Sequence, residues 1–135
     1  MAQTFPGTPP GAAGVAAAID CERLDCYRVA IEFQTVAGRL VSNRRLGALR
    51  DQLDRASVSI ALNIAEGAGR QTVRDKSRFF TIARGSAYEC AAILDLLLAR
   101  GQMAPADHRH GRGLLVRLVQ MLTRLSLRCI PGRTE

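Results

Sequence analysis

The stretch from Asp51 to Arg70, DQLDRASVSIALNIAEGAGR, restricts the fold more than any other part of the chain. Projected at about 100° per residue, Leu49, Leu53, Ile60 and Ile64 fall on one helical face. Val58, Leu62 and Ala65 fall on a second, and Gln52, Arg55, Ser59, Asn63, Glu66 and Arg70 form a polar line between the two. A helix at the surface of a globular domain needs only one apolar stripe. Two stripes predict burial on two sides, with the polar line acting as a hydrogen-bonded register element at an interface between helices or subunits.

Three further helical segments accompany it. The first is predicted over about Glu22 to Ser42, with Asp20 as N-cap and Tyr27, Ala30, Phe33, Ala37, Leu40 and Val41 on an apolar arc. The Asp51–Arg70 helix ends in Gly67, Ala68 and Gly69, where a glycine is expected to supply a left-handed C-cap. The next helix opens on Thr72 and Asp75, spaced as in a capping box, and carries Phe79, Phe80, Ala83, Ala87, Cys90, Ala91, Ile93, Leu94, Leu97 and Leu98 on one wide face. Gly101 and Pro105 mark its end and the next start. The last helix runs to Arg128 from about Ala106 or Leu114, its first turns weakened by Gly111 and Gly113. Leu115, Leu118, Leu122, Leu125 and Cys129 form its seam. With short connections and no strand-period segment, these helices predict an all-α, antiparallel, up-down-up-down four-helix bundle. Residues 1–19 read as a disordered Pro/Gly/Ala-rich leader, 20–130 as the bundle and 131–135 as a tail.

Aromatic residues make up only 4% of the chain and Trp is absent, so the core must be aliphatic. The cysteines Cys21, Cys26, Cys90 and Cys129 form no CxxC pair and have no histidine at zinc spacing, which predicts reduced thiols in a cytoplasmic protein. No apolar run approaches the ~18 residues of a membrane span. His108 and His110, two apart beside Gly111, read as surface histidines rather than metal ligands. Asp51 and Asp54 read as exposed ion-pair partners of Arg50 and Arg55. GAGR at 67–70 follows a helix rather than a strand, so it reads as a helix terminator and not a phosphate loop. No nucleophile is paired with a base. No catalytic residue, metal site or cofactor is therefore assigned.

The net charge is +7, carried by 18 arginines and one lysine. In an up-down bundle the first and third connections share one end. Residues 39–51 and 95–112 there carry an excess of four positive charges, and the opposite end an excess of three. Basic ends suit phosphate contacts, whereas the scarcity of aromatic residues argues against single-strand readers, which stack bases.

Three segments carry a resemblance: LDCYRVAIEF at 24–33, DQLDRASVSIALNIAEGAGR at 51–70 and RFFTIARGSAYEC at 78–90. They resemble the four-helix-bundle family first found encoded in intervening sequences of bacterial large-subunit ribosomal RNA genes. The match spans about the first three helices. Ala61 stands where that family commonly has proline, and alanine leaves the second helix straighter. The resemblance implies an antiparallel bundle assembling as a ring, commonly a homopentamer, with no established enzymatic activity. A more distant similarity is to the accessory protein of diversity-generating retroelements, a basic pentamer that partners a reverse transcriptase and nucleic acid. These readings converge on a non-enzymatic, ring-forming bundle that binds RNA or DNA electrostatically. Arg44, Arg45, Arg70, Arg74, Lys76 and Arg78 are the candidate phosphate contacts. The alternative is a protein–protein scaffold or accessory subunit without nucleic-acid binding.

Overall fold

Helical periodicity along the chain becomes four helices: α1 (Asp25–Val41), α2 (Ala48–Gly69), α3 (Val73–Ala99) and α4 (Pro105–Arg128). A 3-10 turn, Arg44–Leu46, lies in the first connection. The structure is a computed structural model that describes Cys21 and residues 24–128. Each helix packs on its sequence neighbours, and α4 closes against α1. The expected leader and tail, Asp20, Glu22 and Cys129 all lie outside the described residues. The first helix therefore begins, as described, at Asp25, with Leu24 at the N-cap position.

Local chemistry sets most helix ends. Thr72 Oγ1 accepts the Asp75 N–H at 3.2 Å and so caps α3. At the other end of α3, Gly101 adopts φ +68°. Its N–H reaches Leu98 O at 3.0 Å, and the Gln102 N–H reaches Leu97 O at 2.9 Å. This is the Schellman arrangement, and it satisfies carbonyls that the helix leaves orphaned. Pro105 then occupies the first turn of α4, where its missing N–H costs nothing. Asn43 Oδ1 accepts the Arg45 N–H at 3.1 Å and caps the 3-10 turn.

The end of α2 corrects the expectation of a left-handed glycine cap. Among the described residues only Gly47 and Gly101 have positive φ. The helix stops because Arg70 turns to extended backbone, φ −75° and ψ 150°. Its orphan carbonyls are taken up from a distance: Lys76 Nζ donates to Ala68 O at 2.8 Å and to Gly67 O at 3.4 Å. Gly67 is needed for packing instead. A Cβ there would lie 2.8 Å from Phe80 Cε1 and 3.1 Å from Phe79 Cβ, so the absent side chain lets α3 approach α2.

Gly111 revises the picture of weak first turns in α4 in the same way. It is buried, and a Cβ on it would come within 2.9 Å of Leu94 Cδ1 and 3.3 Å of Val36 Cγ1. Its bareness brings α4 against α1 and α3, and packing holds the helix from Pro105 onward. Gly113 has nothing within 4 Å of a built Cβ. Gly113→Ala should therefore raise stability by about 0.5–1 kcal/mol, since it removes only unfolded-state freedom. Gly111→Ala should not stabilise. Urea unfolding midpoints of the two variants test the contrast.

The core is aliphatic, as expected. Leu53, Ile60, Ile64, Leu94, Leu97, Leu118 and Leu122 are inaccessible, and Phe33 is the largest side chain among them. Cys26 and Cys90 sit in this core as free thiols. Burial pushes their thiols up to about 11 and about 12, so they pack as small hydrophobes and are not thiolate nucleophiles near neutral pH. No helix among the described residues is long and apolar enough to cross a membrane.

Candidate nucleic-acid interface

Packing separates the two apolar stripes of α2. Leu49, Leu53, Ile60 and Ile64 face the core. On the second stripe Leu62 is 63% exposed and Val58 38%, and Ala65 is half-buried. Within one chain, then, the helix is covered on one side only. On the neighbouring helix Ile82 is also exposed, at 43%.

The polar line of α2 divides in the same way. Its centre is satisfied inside the subunit. Asn63 Nδ2 donates to Ser59 O at 2.8 Å and to Ser59 Oγ at 3.0 Å. Ser59 Oγ and Ser86 Oγ share a hydrogen bond of 2.8 Å, which ties α2 to α3. Asn63 takes up one of the two lone pairs of the Ser59 hydroxyl, so either serine can be the donor of the bond between them. Gln52, Arg55 and Glu66 are exposed, and Glu66 pairs with Arg70 at 3.3 Å. The expected ion pairs of Asp51 and Asp54 do not form among the described residues. Arg50 Nε instead donates to Val41 O, closing the C-terminus of α1.

The six candidate phosphate contacts fall at opposite ends of the bundle. Arg70, Arg74, Lys76 and Arg78 lie at the α2–α3 connection, where most already have internal work. The Arg70 guanidinium sits 4.6 Å and that of Arg78 5.1 Å from the Phe79 ring centre, on top of the Glu66 pairing and the Lys76 cap. Only Arg74 of these four has no such engagement among the described residues. Arg44 and Arg45 lie at the other end, exposed on the first connection. Arg100 and Arg109, which the sequence did not single out, join them there from the end of α3 and the start of α4. These four side chains make no hydrogen bond, ion pair or ring contact among the described residues. The two connections are held together by Gln102 Nε2, which donates to Arg45 O at 2.9 Å. A shallow cleft of about 400 Å³ opens between them, lined by Asn43, Arg45, Gly101, Gln102, Met103 and Ala104.

His108 departs from the surface reading. Its side chain is only 13% exposed, and Nε2 lies 2.8 Å from Asp95 Oδ1. Arg112 Nε donates to the same oxygen at 3.0 Å, so one carboxylate of α3 holds two residues of α4. The signal for this clasp was the i,i+4 spacing of His108 and Arg112, which puts both on one line of the helix. His110 is exposed, as expected. The hydrogen bonds from His108 and Arg112 hold the Asp95 carboxyl below its ordinary value of 3.8. A depressed carboxyl adds stability above its unfolded-state pKa and loses it as pH falls through the folded value. Asp95→Asn should therefore flatten the loss of stability on acidification below about pH 4. Because Asp95 is half-exposed, the effect at neutral pH should stay within about 1 kcal/mol. Urea titrations at several acidic pH values check both parts.

The sequence of residues 22–124 matches the family model described as the 23S rRNA-intervening sequence protein. The chain belongs to this family. The match spans all of α1, α2 and α3 and most of α4, so the whole bundle, beyond its signature second helix, is the family's unit. No curated protein matches the chain. As a member of the 23S rRNA-intervening sequence protein family, it shows no grouping of three or more His, Cys, Asp or Glu side chains able to hold a metal among the described residues.

Proposed function

We propose that this protein is a non-enzymatic helical bundle that assembles into a homo-oligomeric ring and binds nucleic acid through its basic ends. The observation that carries the nucleic-acid reading is the set Arg44, Arg45, Arg100 and Arg109, all exposed at one end and none engaged within the described residues. Charge that is not neutralised internally is available to phosphates, and binding by such side chains releases counterions. The non-enzymatic reading is supported by where reactive groups have gone: two thiols are buried in the core, and His108 is used in holding α3 to α4. Fluorescence anisotropy with labelled RNA and DNA at low salt tests the proposal. Binding that falls steeply as salt rises supports it. A flat salt response, or no binding at low salt, removes it.

A specific observation favours assembly as well. Val58, Leu62 and Ile82 leave an apolar strip uncovered along α2 and α3. A ring, the homopentamer implied by the resemblance, would cover such a strip once per interface. The scaffold alternative uses the same surface for another protein, a reverse transcriptase being one class of partner. A partner that stays bound through nuclease treatment and high salt would favour the scaffold over the nucleic-acid reading.

A further inference from the structure

We infer that the end of the bundle built from the first and third connections is a platform for the phosphate backbone of duplex nucleic acid. The inference rests on the nucleic-acid reading above and adds which end binds and what kind of strand it takes. Two N-termini, of α2 and α4, and two C-termini, of α1 and α3, meet at this end, so their helix dipoles largely cancel. Side chains therefore set its field. Seven arginines, Arg39, Arg44, Arg45, Arg50, Arg100, Arg109 and Arg112, face three carboxylates, Asp51, Asp95 and Asp107. Asp95 is already taken up by Arg112 and His108. The opposite end is also basic, but Arg28 there pairs with Asp25, Arg70 with Glu66, and Lys76 caps α2.

Two further features choose duplex over single strand. First, the described aromatic side chains offer no stacking surface here. Phe33 and Phe80 are buried, Tyr27 lies near the start of α1 at the opposite end, Phe79 lies at that end beneath two arginines, and Tyr88 lies midway along α3 with the Arg84 guanidinium 5.0 Å from its ring centre. Flexible single strands are captured largely by base stacking on such rings. Second, the cations are carried on a stiff frame. The Asn43 cap, the Schellman turn at Gly101 and the Gln102–Arg45 bridge hold the backbone of both connections. With neighbouring helices packed at their usual spacing the end is about 20 Å across. Guanidinium groups spread over a fixed surface of that size suit the regular, dense phosphate array of a duplex, which carries one charge per ~1.7 Å of axis. Contacts of this kind go to the phosphate backbone and are indifferent to sequence.

The test compares the full chain with Arg44→Gln/Arg45→Gln, with Arg100→Gln/Arg109→Gln, and with a control on α4 away from the platform, Arg117→Gln/Arg124→Gln. All six positions are exposed. Circular dichroism confirms the fold of each variant. The probes are a blunt RNA duplex, a DNA duplex of the same sequence and a single strand of equal length. If four phosphates are neutralised, log affinity for the DNA duplex should fall with log salt at a slope of about −3.6, or roughly 150-fold from 50 to 200 mM. Each double variant at the platform should make that slope shallower by about two, and the control should leave it unchanged. The RNA and DNA arms show which duplex is preferred, and either preference fits a backbone platform. Tighter binding of the single strand overturns the inference. So does a control variant that loses as much binding as the platform variants. In both cases nucleic-acid binding itself survives. No binding of any probe at low salt overturns the wider reading too.

Discussion

Leu62→Glu should leave a folded bundle that no longer assembles. Leu62 is the most exposed large apolar residue among those described, and it lies on the second stripe of α2. The Ser59–Ser86 hydrogen bond sets the antiparallel register of α2 and α3. Leu62 lies three residues beyond Ser59, and Ile82 four before Ser86, so the two share one level of the bundle. Val58 continues the strip one turn away. Covering a side chain such as leucine is worth about 1.5–3 kcal/mol when burial is complete. A carboxylate in its place would have to be desolvated without a partner, which is costlier still. In a ring every interface contains the substitution, so its cost recurs at each one. Light scattering should show an oligomer for the unaltered protein and a monomer for the variant, with unchanged helix content. A monomeric unaltered protein, or an unshifted mass for Leu62→Glu, would contradict the assembly reading.

Phe33→Ala should destabilise the bundle by about 3–5 kcal/mol, in the range measured for large aromatic deletions. Typical domains have only about 5–15 kcal/mol in total, so the variant should be near the limit of folding. Phe33 is fully buried on α1, and its Cε1 lies 3.7 Å from where a Cβ of Gly111 would stand. Its ring therefore fills the space that the glycine leaves at the α1–α4 contact. Truncation opens a cavity beside a residue with no side chain, so the surroundings have little with which to collapse into it. Urea unfolding would show a lower midpoint with an unchanged slope. A loss below about 1 kcal/mol would mean that α4 does not rest on Phe33.

Much of the architecture was legible because its causes are local. The 3.6-residue periodicity of Phe80, Ala83, Ala87, Cys90, Leu94 and Leu97 predicts the buried face of α3, and that is the face found. Thr72 with Asp75, and Gly101 with Pro105, announce boundaries through hydrogen-bond and dihedral requirements that span only a few residues. The packing roles of Gly67 and Gly111 are not legible in the sequence, for the opposite reason. A glycine that admits a neighbouring helix looks the same in one dimension as a glycine that ends its own. Gly67 needs Phe80, and Gly111 needs Leu94 and Val36, before its role is visible.

The candidate site shows the same division. The amino-acid sequence by itself determined that this is an antiparallel bundle of arginine-rich helices, that its second helix has one apolar stripe too many, and that its two ends are basic. Periodicity, capping and charge are properties of residues near one another in the chain. Only the tertiary structure decided which of those charges are already engaged. Lys76 reaches back to Ala68, Asp95 across to His108 and Arg112, and Gln102 over to the backbone of Arg45. Such pairings join residues of different helices and connections, and the spacing of His108 and Arg112 marks a shared line on α4 without naming Asp95 as its partner, because the pairing is set by the distance between helices once the core has packed. It is packing that left Arg44, Arg45, Arg100 and Arg109 unengaged together, and Leu62 facing outward.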